Sequence, residues 1–231
     1  MPWYEIVWSS IGRKIITAVA GLGLYLYLVI HLAGNATLFT RNPDIFNRYA
    51  NFLESLGWLL IIVEIALLVV FIFHIVVGGF VWYAKLRARG GFYYKVADAG
   101  PPSHKTLSSK SMILTGLVLG IFITLHVITF KYGPGVKEGY ITMIKGVEMR
   151  DLYRLVIEVF SKMGYVVFYV ACMIFLFYHL RHAFWSGFQS LGLNNKYLVP
   201  FFYGLGFILA VLLALGFVIL PVFIYFTGGS S

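Results

Sequence analysis

Five long apolar runs constrain this chain more than any other feature. They fall at residues 15–39, 58–84, 112–130, 164–188 and 199–226. About 20 consecutive apolar residues are needed for a helix to cross the hydrocarbon layer of a bilayer. Inside that layer the backbone finds no water, so each run must satisfy its own N–H and C=O groups, and a helix does this within one segment. The expected fold is therefore an all-α membrane protein: a single domain over residues 1–231 with five transmembrane helices. Composition agrees. The chain is 60% hydrophobic and only 12% charged, about half the charged share of a soluble domain. Pro200 suits the first turn of the fifth helix, where its missing N–H is no loss. Pro221 falls near the far end, where a kink is expected.

A formal charge of +9 in a soluble chain would point to nucleic acid. Here the basic residues fall in loops beside membrane segments, so topology explains them and no nucleic-acid partner is expected. Five crossings put the termini on opposite sides. The N-terminal side carries ten basic and two acidic residues, the other side eight and six. The densest basic stretch is residues 85–110, which makes the N-terminal side cytoplasmic and the C-terminus external. The opening MPWYEIVWSSIGRK lacks the charge-first pattern and cleavage site of a signal peptide, so the first helix is expected to stay. The single cysteine, Cys172, sits in an apolar run and reads as a small membrane residue, since cluster binding takes four ligands.

Within these runs lie four histidines on four different helices: His31, His74, His126 and His179. An ionisable side chain in hydrocarbon is costly and marks a candidate site. Helical rise gives their depth. His31 stands about 27 Å from Arg13, and His126 about 22 Å from Ser111. Both are counted from the cytoplasmic edge, so both lie toward the outside. His74 is about 16 Å from Lys85, and His179 about 15 Å from Gln189, toward the inside; His182 is only about 10 Å in. The histidines therefore form two layers, His31 with His126 and His74 with His179. A closed zinc site would want four ligands at one level. A di-iron bundle would want several inward glutamates, and these runs offer only Glu64. Two bis-histidine haems, one per layer, satisfy all four imidazoles. Glycines at 21, 23, 34, 78, 79, 116 and 120 leave room for so broad a ring, or for close helix packing such as Gly116-xxx-Gly120. With both axial positions filled, the remaining role is outer-sphere electron transfer.

Three motifs carry a resemblance. SSIGRKIITAVAGLGLYLYLVIHLAGNATLF (residues 9–39) resembles the first helix of the di-haem cytochrome b membrane anchor of succinate:quinone oxidoreductases. FNRYANFLESL (residues 46–56) is similar to the outer loop of that family, and HLRHAFWSGFQSLGL (residues 179–193) to its fourth-helix signature. Helix count and histidine order follow the same pattern over essentially the whole chain. The resemblance implies a distal haem b held by His31 and His126 and a proximal haem b held by His74 and His179, with the aromatic Trp185 following. His182 would lie one turn toward the cytoplasm, either near a haem propionate or simply at the interface. Glu54 matches an acidic residue of the outer loop; it is a candidate proton acceptor beside a quinone, or a solvated surface acid. Glu64 is a second proton-active candidate, or a residue that reaches the interface. Some family members use a glutamate two residues before the fourth-helix ligand for transmembrane proton movement. Here Phe177 stands at that position, which argues against such a pathway.

The resemblance further implies a bacterial cytoplasmic membrane and two partners on the cytoplasmic side, a flavoprotein and an iron–sulfur subunit. They would dock on the basic surface of residues 85–110, Arg181 and Lys196. Electrons from succinate would pass the two haems to a membrane quinone, menaquinone or ubiquinone. Quinol:fumarate reduction is the same chemistry in reverse and stays open. A formate dehydrogenase or hydrogenase cytochrome b also places histidines on membrane helices, but lacks the three motifs. A haem-free transporter would favour broken helices, whereas these runs are continuous. Residues 150–160 mix charge with an apolar stripe. They form either an amphipathic helix on the outer surface or an extension of the fourth membrane helix.

Overall fold

The computed structural model describes residues 2–88 and 107–228. Among them, five helices are long and apolar enough to cross a membrane. In chain order the helices are α1 (Trp3–Trp8), α2 (Ser10–Asn35), α3 (Pro43–Ser55), α4 (Trp58–Ala88), α5 (Leu107–Lys110), α6 (Met112–Phe130), α7 (Leu152–Phe160), α8 (Met163–Ser190) and α9 (Leu198–Thr227). One hairpin, β1 (Ile141–Ile144) with β2 (Val147–Arg150), lies between α6 and α7. Short 3-10 turns follow α2 at Ala36–Thr40 and precede the hairpin at Val136–Glu138.

The spans outrun the apolar runs at their charged ends. Helix α2 begins at Ser10 because the Ser9 hydroxyl accepts from Gly12 N at 3.0 Å, which satisfies one free donor of the first turn. Arg13 and Lys14 are thus helical although they are not apolar. Helix α4 continues to Ala88 with Lys85 and Arg87 in its last turn, where cations oppose the negative end of the helix dipole. Helix α9 continues through Pro221.

The chain divides into two compact units, and each of α2, α4, α6, α8 and α9 contributes a segment to both. Unit 1 comprises Met1–Leu26, Ala66–Leu117 and Leu176–Val211. Its interior is aromatic. Phe184 packs on Tyr25 with ring centroids 5.2 Å apart, and Phe188 stacks on Phe202 at 4.0 Å and 8°. Gly187 admits Leu22, and Gly206 admits Phe184; a β-carbon at either glycine would stand 3.2 and 3.0 Å from those side chains.

Unit 2 comprises Tyr27–Ile65, Val118–Phe175 and Leu212–Ser231. It carries α3, the hairpin and α7. Residues 46–56 fall mostly within a helix, α3, rather than in a loop. Asn42 caps it by accepting from Asp44 N at 3.0 Å, and Pro43 opens it. The hairpin closes through Lys145 and Gly146, both at positive φ (53° and 78°), the backbone that a two-residue turn between right-twisted strands demands. Arg150, at the end of β2, clamps the C-terminal end of α6. Its guanidinium donates to the carbonyls of Phe130 (2.9 Å), Gly133 (3.1 Å) and Pro134 (3.0 Å). A cation there satisfies carbonyls that have no helical partner.

Helix α7 is separate from α8. It is capped by Asp151, which accepts from Arg154 N at 3.0 Å, and it ends at Ser161. Its apolar stripe, Leu155, Val156, Val159 and Phe160, is buried. On its polar face Glu158 accepts from the Tyr140 hydroxyl at 2.5 Å and from Arg154 at 2.7 Å. The Tyr140 hydrogen bond, then that from Arg154, hold the Glu158 carboxyl below its ordinary range. Asn47 ties α3 to α7. It is fully buried, donates to Asp151 Oδ1 at 2.8 Å, and accepts from Tyr153 N at 2.9 Å. Asn47→Ala leaves a backbone donor and a capping carboxylate short of partners, a loss of about 2–3 kcal/mol. The expected outcome is a lower melting temperature in detergent, with faster amide exchange confined to α3 and α7. Wild-type exchange in both helices would contradict it.

Candidate metal centre

Unit 1 brings His74 of α4 and His179 of α8 together. Their ring centroids are 6.2 Å apart and their planes 71° apart. A glycine lies against each of these rings, closely at Gly21 and at ordinary contact distance at Gly116. A β-carbon at Gly21 of α2 would stand 3.1 Å from His74 Cε1, and one at Gly116 of α6 would stand 3.4 Å from His179 Cε1. The Thr115 hydroxyl lies 3.0 Å from His179 Nδ1. Its own proton is directed to the Met112 carbonyl at 3.1 Å, so it accepts from Nδ1–H. In that arrangement Nε2 of His179 carries the lone pair, and it has no hydrogen-bond partner among the described residues. Such outer contacts orient metal-binding imidazoles generally. His74 Nδ1 is buried without a well-formed hydrogen bond, with the Thr17 backbone within its reach.

Unit 2 brings His31 of α2 and His126 of α6 together, with centroids 5.8 Å apart and planes at 86°. His126 Nδ1 lies 3.1 Å from the Tyr169 hydroxyl, again leaving Nε2 without a partner among the described residues. His31 differs. Its Nε2 lies 3.4 Å from Asn35 Nδ2, which also donates to the His31 carbonyl at 2.8 Å. Its ring stacks on Tyr27 at 5.5 Å and 21° and leans on Phe217 at 5.9 Å.

The spacing has a chemical meaning. Two imidazoles on opposite sides of one metal ion, each nitrogen about 2 Å from it, have ring centroids about 6 Å apart. Both pairs meet that distance. Among the described residues no group of three or more His, Cys, Asp or Glu side chains converges; the imidazoles meet two by two. No family model, curated protein or solved structure matches the chain. The resemblance drawn above therefore rests on the quoted residues themselves.

Unit 1 also has features that fit a broad, partly polar group. Gly78, one turn beyond His74, has open space where a β-carbon would be. An apolar groove of about 340 Å³ lies along α2 and α4, lined by Ile15, Ile16, Val19, Ala20, Val69, Val70 and Phe73. Among the described residues, the buried side-chain polar atoms without hydrogen-bond partners are Tyr25 OH, His74 Nδ1, Ser108 Oγ and Arg181 Nε. All four belong to unit 1.

The other candidates are dispersed. His182 is half-buried in unit 1, near Lys85 and without a hydrogen bond among the described residues. Arg181 is half-buried. Its Nη2 donates to Tyr203 OH at 3.0 Å, and its guanidinium lies 5.5 Å from the Phe207 ring centre. Most of the basic stretch at 85–110 lies outside the described residues. Lys196 sits 4.9 Å from the Tyr197 ring centre. Phe177 packs on Tyr178 and Phe207, Cys172 is buried and Trp185 is buried. In unit 2, Glu54 is exposed at the end of α3, its side chain without a partner among the described residues. Glu64 pairs with Lys131 instead of standing alone, and both are partly exposed.

Sequence reading missed Thr115, Tyr169, Tyr27 and Asn35. Thr115 carried one signal, since it stands eleven residues before His126, a spacing that returns to the same helical face. Tyr169 is one of 16 tyrosines and carried none. Thr115→Val keeps the shape and removes the acceptor for His179 Nδ1–H. Loss of such a contact weakens metal affinity about 10- to 100-fold. Titrating a metalloporphyrin into the stripped protein should show that loss at one site and wild-type affinity at the other. Equal affinity at both would contradict the assigned tautomer.

Proposed function

We propose that this chain is the membrane-anchor and di-haem cytochrome b subunit of a succinate dehydrogenase complex. The observation that carries the reading is the pairing of four imidazoles from four membrane helices into two couples, each close to 6 Å between ring centroids (6.2 and 5.8 Å). His74 and His179 would hold one haem b, His31 and His126 the other. Each haem, when bound, would supply a one-electron iron couple.

The chain's residues bind, orient and exclude. Thr115 and Tyr169 hold the His179 and His126 rings by Nδ1 and leave Nε2 for the metal. Phe122 and Phe130 flank His126 at 5.8 and 5.2 Å and keep water from that ring. In this role a flavoprotein and an iron–sulfur subunit oxidise succinate on the cytoplasmic side. The electrons cross this chain to a membrane quinone. Glu54 is the carboxylate that would serve that quinone with protons, with Glu64 the second candidate. The N-terminus is cytoplasmic and the C-terminus external, as the basic residues of the 85–110 stretch favour.

The reading predicts two b-type haems per chain in a pyridine haemochrome assay of the purified protein. One or none would overturn it. His179→Ala should lose one haem, because its removal leaves an open iron and a cavity, whereas His182→Ala should keep both. The reverse pattern would reassign the fourth-helix ligand. A reporter fused after Phe226 should behave as exported; cytoplasmic activity there would overturn the orientation.

A further inference from the structure

Helix α3 of unit 2 carries an apolar arc of which the protein covers one side. At about 100° per residue, Phe52, Ile45, Tyr49, Leu53 and Phe46 fall in that order over about 120° of its surface, a full amphipathic stripe. Phe46 is buried and packs on Tyr153 of α7 at 6.4 Å. A β-carbon at Gly34 of α2 would collide with the Tyr49 ring. The other side of the arc is exposed: Ile45 at 43% and Phe52 at 60%, about 20° apart around the helix. We propose that α3 lies in the plane of the membrane edge, with Ile45 and Phe52 set among the acyl chains of the adjoining leaflet. The proposal does not rest on the haem reading.

Continuity with a membrane span says what covers that side. Only Leu56 and Gly57 separate α3 from α4, and the link is tight. Leu56 N donates to the Leu53 carbonyl at 3.2 Å, Gly57 N to the Glu54 carbonyl at 3.0 Å, Leu59 N to the Leu56 carbonyl at 3.1 Å and Ile61 N to the Gly57 carbonyl at 3.3 Å. Gly57 supplies the positive φ of the turn, 54°. Helix α4 is one of the five long enough to cross a membrane, and it opens with Trp58, Leu59, Ile61, Ile62 and Val63 all exposed. A helix that is apolar all round and not covered by protein faces lipid. Tryptophan at the start of such a span sits at headgroup level, so a two-residue link holds the end of α3 at that layer.

The polar residues of α3 fit the same placement. Arg48 borders Phe52 at about 40°, where its stem can follow the stripe while the guanidinium stays among phosphates. It is only loosely paired with Asp44, at 3.7 Å, and both are about half exposed. Glu54 falls about 180° from Ile45 and is exposed, which puts it on the water side. In-plane helices of this kind bury an apolar face and keep charges at its margin. Ile45 and Phe52 alone fall far short of the roughly 1,200–2,000 Å² that a stable protein interface buries, whereas lipid contact needs no minimum area.

The test uses the whole chain in phosphatidylcholine vesicles, with Cys172→Ala so that only introduced thiols react. Nitroxide labels are placed at Ile45→Cys, Phe52→Cys and Glu54→Cys, all exposed positions where a label leaves the packing intact. Collision with oxygen, which concentrates among acyl chains, is compared with collision with a water-soluble nickel chelate. Labels at 45 and 52 should favour oxygen several-fold, at a depth of about 5–10 Å, and the label at 54 should favour the chelate. Chelate access at 45 and 52 equal to that at 54 would place α3 in water and overturn the proposal. Exclusion of both probes at 45 and 52 would mean that protein covers this face, a second copy or a partner, and would overturn it as well. Haem content of the same samples reports on the cytochrome reading independently.

Discussion

An imidazole has two ring nitrogens, and a membrane interior supplies no water for either. The architecture around the four histidines follows from that constraint. At His179 and His126 the protein engages Nδ1, through Thr115 and Tyr169, and among the described residues nothing bonds Nε2. In the proposed reading the partner of Nε2 is a bound metal. Each such ring faces a second imidazole at a spacing that one metal ion would bridge. The glycine at 21 follows from the same requirement, since a β-carbon there would stand 3.1 Å from the His74 ring. Alanine is the better helix former by about 1 kcal/mol, so space for the imidazole outweighs propensity there.

The polar segments of unit 2 are built on the opposite logic, because water can satisfy whatever the protein does not. Even so, its key contacts are internal. Arg150 completes the carbonyls at the end of α6, and Asn47 joins α3 to α7. These bonds fix segments whose apolar faces alone are short. Helix α7 has only 9 residues, too few to be stable without packing. The hairpin is two strands of four residues, marginal in isolation. A half-exposed ion pair such as Arg154 with Glu158 adds little by comparison.

Membrane spans were legible because their cause is simple: apolar length. All five long helices sit where the apolar runs fall. What the runs could not reveal is where a helix persists into charge, as at Ser10 and Ala88, because caps and the helix dipole decide that. Helix α3 escaped notice because Asp44, Arg48 and Glu54 interrupt its apolar pattern, and its start depends on Asn42 and Pro43. The pairing of His31 with His126 and of His74 with His179 followed from depth alone, since helical rise turns sequence distance into level. The contacts around those rings were not legible. Thr115 and Tyr169 are ordinary residues in apolar runs until the fold brings them to a histidine. Glu64 could be singled out as the lone acid of its helix, but its partner Lys131 lies 67 residues away.

In the proposed reading each histidine pair holds one iron, and the two ring planes are strongly crossed, 71° in one pair and 86° in the other. Crossed axial planes leave two of the iron d orbitals nearly equal in energy, and that gives a ferric low-spin ion a highly anisotropic magnetic response. Low-temperature electron paramagnetic resonance of the oxidised protein tests this directly. The account predicts two low-spin ferric signals, both of the strongly anisotropic type, with one abolished in His179→Ala. A high-spin ferric signal in the unaltered protein, or no haem signal at all, would contradict it.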